Sequence, residues 1–179
     1  MTLRSISVMR LNDRHPGLTK EVAAYYAQGA QVCLDRHHEP PRALRIESGS
    51  VLSECQLNWE VTNQDVRLAW ANAEDATRDG AYIVALAALE VTEELVAGHR
   101  AQSRSGADYF VAPKGTPKGD LEASLRLEVS GIDKSDPTKM RTRLEKKKEQ
   151  TRRGESDAPA VVAVVGFSSA IVLLEHVKK

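Results

Sequence analysis

The sequence predicts an α/β protein of the α+β kind, built on a mixed sheet. Three observations carry that expectation. The hydrophobic period switches repeatedly between two residues and about 3.6 along the chain. From residue 64 onward the order reads helix, strand, strand, strand, helix, strand, an α-β-β-β-α-β core. Ala160 to Phe167 is an unbroken Val-rich run, as in a strand buried on both faces. Residues 1–62 read as a strand, a helix and a hairpin, expected as an N-terminal extension packed on a core of residues 63–179. At 179 residues the two parts together make one compact domain.

The elements follow in order. Leu3, Ile6, Val8 and Leu11 alternate in part, as in a short strand, and Asn12 to Gly17 has the composition of a turn. A helix is expected from near Thr19 to about Asp35, with Val22, Tyr25, Tyr26, Ala30 and Cys33 recurring at helical spacing. Pro40-Pro41 cannot continue it. Arg42–Glu47 alternates, Gly49-Ser50 makes a turn, and Cys55, Leu57 and Trp59 give a second alternating run. From about Asn63 to Leu95 the period is helical, in one helix or in two broken at Asp79-Gly80, and Ala81–Val91 is apolar nearly all round, as against a sheet. Candidate strands come next: Val96–Gln102, short and ambiguous, then Ala107–Pro113 and Ser124–Ile132. Asp136-Pro137 opens a helix to about Arg153, with Asp at the N-cap and Pro at the first helical position. Gly154–Pro159 is a loop, and Ile171–Val177 reads equally as strand or helix.

Lys+Arg and Asp+Glu both number 25, so the formal charge is zero. That excludes a globally basic nucleic-acid coat, and any polyanion site must be a local patch. Aromatics are only 4% of residues, so the core must come from Val, Leu, Ile and Ala. Cys33 and Cys55 lack zinc-ligand spacing and read as idle buried thiols in a reducing cytoplasm. The N-terminus lacks a signal-peptide run, and the apolar stretch Ala158–Leu174 is broken by Pro159 and Gly166, so a cytoplasmic, non-membrane protein is expected. Gly115–Gly119 fails the phosphate-loop spacing, and the adjacent His37 and His38 make a poor chelate.

Three acids stand at positions that matter for chemistry. Glu74 lies on a helix, Asp108 begins a strand after Gly106-Ala107, and Glu128 lies inside the next strand. If those strands pair as a hairpin, Asp108 and Glu128 lie side by side, and Glu74 reaches them from the helix. Clustered carboxylates repel, and a hard divalent cation such as Mg²⁺ or Mn²⁺ removes that penalty. Alternation also allows Glu128 to be an ordinary solvent-facing strand residue beside Arg126 and Ser130.

This order of acids resembles the PD-(D/E)xK, or restriction-endonuclease-like, nuclease superfamily over roughly residues 64 to 168. The resemblance implies a Mg²⁺-dependent nuclease, alone or within a DNA-handling or phage-defence assembly. It carries Asp108 and Glu128 as catalytic metal ligands and Glu74 as the assisting helical acid. The family pattern has a lysine two residues after the third-strand acid, where this chain has Ser130. A basic residue from the following helix is then required. Lys139, Lys146 and Lys147 are the candidates, with Lys139, nearest the helix start, offered as catalytic. Without such a group the resemblance implies an inactive relative that binds or scaffolds.

The helix from Lys139 to Arg153 carries eight basic residues against Glu145 and Glu149. Arg143, Lys146 and Lys147 on it, with Arg104 and Lys114 flanking Asp108 in sequence, are expected to contact nucleic-acid phosphates, and Arg100 and Lys118 extend the same basic rim round the carboxylates. A solvated helix face is the competing expectation. The N-terminal unit suits a protein partner or a homo-oligomeric contact.

Overall fold

The computed structural model describes residues 4–154 and 156–178. Leu3 of the expected first strand and Glu155 of the expected loop Gly154–Pro159 lie outside the described residues. Among the described residues the chain forms a mixed α/β structure with one eight-stranded sheet and four α-helices. Chain order is β1 (Ser5–Ser7), α1 (Lys20–Asp35), β2 (Arg42–Ser48), β3 (Val51–Asn58), α2 (Gln64–Ala69), α3 (Ala73–Glu93), β4 (Leu95–Arg100), β5 (Tyr109–Pro113), β6 (Leu125–Ile132), α4 (Pro137–Arg153), β7 (Ala160–Gly166) and β8 (Ile171–Val177). A single 3₁₀ turn, Leu11–Asp13, precedes α1.

The sheet order is β1-β3-β2-β8-β7-β6-β5-β4. β4, β5 and β6 form an antiparallel meander, and β6 runs parallel to β7 through α4. The β2–β3 hairpin joins the same sheet by parallel pairing of β2 with β8. The ambiguous segment after α3 and the undecided C-terminal segment are both strands.

Helices flank the sheet on both faces. α1 and α3 cover one face, where Val161, Ala163 and Val165 of β7 join the large apolar core. α4 covers the other, where Ala160, Val162 and Val164 meet Met140 and Leu144. The Val-rich run is therefore buried on both sides, which its lack of alternation required.

The helical stretch 63–95 is broken, but not at Asp79-Gly80. The break falls at Trp70–Asn72, where the Asn72 side chain accepts from the Glu74 and Asp75 N–H groups and starts α3 afresh. Gly80 lies buried in mid-helix for a packing reason. A Cβ there would stand 2.5 Å from the Ala30 nitrogen and 2.7 Å from the Gly29 carbonyl carbon, so the glycine sets how closely α1 crosses α3. Gly131 does the same between β6 and α3, since a Cβ on it would collide with the Thr77 carbonyl oxygen. α3 is thereby held directly over the last residues of β6. Among the described residues, no helix is long and apolar enough to cross a membrane.

Candidate active site

The site begins with a mismatch of strand lengths. β5 pairs with β6 only over Leu125–Leu127, whereas β6 pairs with β7 through Ile132. Past Leu127 the β5 side of β6 is open, and β5 and β6 diverge as a fork. A cavity of about 550 Å³ lies there, lined from α3 by Glu74, Thr77, Arg78 and Tyr82, from the strands by Asp108 and Glu128–Gly131, and from α4 by Arg143 and Lys147.

Asp108 stands at the crotch of the fork. Its N–H donates to the Leu127 carbonyl at 2.7 Å, and its Oδ2 accepts from the Val129 N–H at 2.8 Å. The Tyr82 hydroxyl donates to Oδ1 at 3.0 Å. Burial, then the Asp108 charge, pushes the Tyr82 hydroxyl up to about 12, so it stays a donor at neutral pH. The turn leading into Asp108 is pinned by buried Arg126, which donates to the carbonyls of Ala158 at 3.0 Å and Ser105 at 3.4 Å.

The last cross-strand pair is Tyr109–Leu127, so the next step of the register sets Asp108 beside Glu128. Like charges directly opposite are unfavourable in a sheet. Burial and then the Asp108 charge raise the proton affinity of Glu128, against the pull of Lys147. The Lys147 ammonium donates to Glu128 Oε1 at 2.6 Å. One turn back, Arg143 donates to Ser130 Oγ at 2.9 Å.

This places each residue singled out in the sequence. Glu74, Asp108, Glu128, Arg143 and Lys147 share one cavity. Glu74 sits on its exposed rim in the first turn of α3. Lys139 is elsewhere: 65% exposed, it pairs with its own N-cap residue Asp136. The reason is register. α4 runs against β6, with Arg143 opposite Ser130 and Lys147 opposite Glu128. Four helical residues advance about 6 Å and two strand residues about 6.6 Å, so the two ladders stay in step. Lys139 falls about 12 Å up the helix from Lys147, beyond the acids. Lys146 and Arg104 are exposed, and neither lines the cavity. Lys114 lies past the opposite end of β5 from Asp108 and lines a separate cavity with Arg4, Arg14 and Glu90.

Sequence reasoning missed Tyr82 and Arg78, whereas Arg100, expected on the basic rim, approaches Asp108 at 3.9 Å. A signal existed for both missed residues, since Glu74, Arg78 and Tyr82 recur every four residues on one face of α3. His37 and His38 serve the fold, bonded to Asp133 Oδ1 at 3.0 Å and to the Phe167 carbonyl at 2.8 Å. Both cysteines are free and buried, and burial pushes their thiols up to about 11. Among the described residues, no three His, Cys, Asp or Glu side chains stand close enough together to hold a metal ion. The carboxylate pair is the tighter unit, with Glu74 at the rim.

Comparison of the chain with protein-family models, with curated proteins and with solved structures gives no match in any of the three.

Proposed function

We propose that the protein is a metal-dependent phosphodiesterase acting on nucleic acid, with the cavity at the β5–β6 fork as its active site. The observation that carries this reading is the convergence of Glu74, Asp108, Glu128 and Lys147 on one cavity. The element order α3-β4-β5-β6-α4-β7, with an antiparallel meander followed by a parallel strand, supports a restriction-endonuclease-like core and fits the resemblance to PD-(D/E)xK nucleases.

The donor chemistry fits a hard cation carried by two carboxylates. Mg²⁺ is commonly bound through one or two carboxylates, with waters and substrate phosphate completing the shell. Asp108 and Glu128 are an adjacent all-oxygen pair whose mutual repulsion a cation relieves. A bound Mg²⁺ or Mn²⁺ supplies Lewis acidity to the scissile phosphodiester. The chain's own groups do the rest. Tyr82 and the Val129 N–H fix the Asp108 carboxylate in place. Lys147 and Arg143 hold positive charge where negative charge grows on the phosphate. As water attacks phosphorus, one P–O bond forms and one breaks. The attacking water gives its proton to solvent, and solvent protonates the leaving oxygen. Lys147 then fills from α4 the role that Ser130 leaves vacant on β6.

A second reading, an inactive nuclease-fold binding protein, is favoured by the 2.6 Å Lys147–Glu128 pair, which already compensates one acid without a cation. The two part in one experiment. Under the first reading Mg²⁺ or Mn²⁺ raises the Tm over EDTA, the rise is lost in Asp108→Asn, and cleavage of a labelled oligonucleotide falls about a hundredfold or more in Asp108→Asn and Lys147→Ala. A Tm indifferent to either metal, with no cleavage by the wild type, establishes the second.

A further inference from the structure

The chain has four tyrosines, and all four gather beside this cavity: Tyr25 and Tyr26 on α1, Tyr82 on α3 and Tyr109 on β5. In a protein with 4% aromatic residues such a concentration asks for a cause. Tyr82 and Tyr109 are buried, and core packing accounts for them. Tyr25 is different. It is 52% exposed, yet its ring is held in place. Its hydroxyl donates to the buried Asp79 at 3.1 Å, and its ring packs on Trp70 at 4.7 Å between centroids. Asp79 in turn is gripped by Arg78, a residue of the cavity wall.

Arg100 continues the strip. Its guanidinium lies 4.6 Å from the Tyr82 ring centre and 4.9 Å from that of Tyr109, and its side chain is 48% exposed. It also donates to the Tyr82 hydroxyl at 3.3 Å, the group that holds Asp108. An aromatic and guanidinium track thus runs from Tyr25 through Arg78 and Arg100 to the acids. An exposed ring already fixed in orientation loses little entropy when a flat partner stacks on it. Nucleobases are such partners, but in a duplex their faces are occupied by neighbouring base pairs. Stacking on Tyr25 therefore selects unpaired bases, and the guanidiniums hold the backbone between them.

We propose that this track binds single-stranded nucleic acid and delivers it to the cavity, with Tyr25 as the stacking platform. The proposal rests on the nuclease reading and names its substrate as single-stranded. The test is fluorescence anisotropy in EDTA, where metal-dependent cleavage cannot deplete the probe, using a labelled thymidine oligonucleotide of about 20 nucleotides and a duplex of mixed sequence. Wild type is expected to prefer the single strand. Tyr25→Ala should weaken single-strand binding about tenfold or more, Tyr25→Phe should restore most of it, and duplex binding should not change. The position is exposed, so both variants are expected to fold, checked by circular dichroism. Duplex binding equal to or above single-strand binding, or Tyr25→Ala binding the oligonucleotide as wild type does, overturns the track and leaves the nuclease reading standing. Failure of the wild type to bind either probe also overturns the track, and the nuclease reading then stands or falls by the metal and cleavage experiment above.

Discussion

The two faces of the sheet are closed by different physics. On the α1/α3 face the seam is one of shape. Gly29 and Gly80 let two helices cross at backbone contact, Gly131 brings β6 up to α3, and apolar side chains fill the rest. On the α4 face a smaller apolar patch around Met140 and Leu144 is bordered by charge. There Lys147 pairs with Glu128, Lys148 with Glu175 and Glu145, Arg143 with Ser130, and Arg141 with Glu47. A packed seam has one solution, whereas an ion pair can exchange partners. The cavity opens where the two meet, with α3 supplying a fixed wall and α4 supplying cations able to turn from protein carboxylate to phosphate.

That contrast can be broken in three ways, in descending size. The largest effect is expected at the helix crossing. Gly80→Leu would force backbone apart at Ala30 and Gly29, and a loss of about 3 kcal/mol or more, or failure to fold, should appear in urea unfolding. A variant as stable as wild type would mean that the seam is not shape-limited.

The second concerns pH. The native state holds the Glu128 proton more tightly than the unfolded chain does, because burial and Asp108 raise its proton affinity. Its contribution to stability is then fully present below the ordinary carboxylate value of 4.5 and is lost as pH rises through the higher native value. Glu128→Gln, which cannot ionise, should therefore gain on wild type in urea midpoint as pH rises from 4.5 through the higher native value. Parallel profiles would remove the repulsion on which the metal argument depends.

The smallest effect is expected on the charged border. Lys148→Met keeps the stem and gives up the ion pairs to Glu145 and Glu175, and a change within about 1 kcal/mol is expected. A loss as large as that of Gly80→Leu would make this face as rigid as the other.

Most of the elements could be read from the sequence because their signals are local. Alternation marks β2 and β6, the Asp136-Pro137 start marks α4, and the shift to an all-apolar helix marks the buried part of α3. The break between α2 and α3 was misread because Gly80 looks like a terminator when viewed along the chain. Its purpose is set across the chain, by α1, while the true stop is the Asn72 cap. The same distinction governs the site. Acid type and order were legible for Glu74, Asp108 and Glu128. Which lysine faces them was not, since Lys139 and Lys147 lie on one helical stripe and only the offset of α4 against β6 separates them.

Asp108 carries a consequence for experiment. By accepting from the Val129 N–H its carboxylate supplies the final rung of the β5–β6 ladder, a side chain standing in for backbone. The residue is then mason and tool at once, and removing it with alanine unpicks the masonry along with the chemistry. An Asn amide can present its own carbonyl oxygen to the same N–H while giving up the charge. The gap in cleavage between Asp108→Ala and Asp108→Asn therefore measures how far the end of a strand, rather than an ion, keeps this site open.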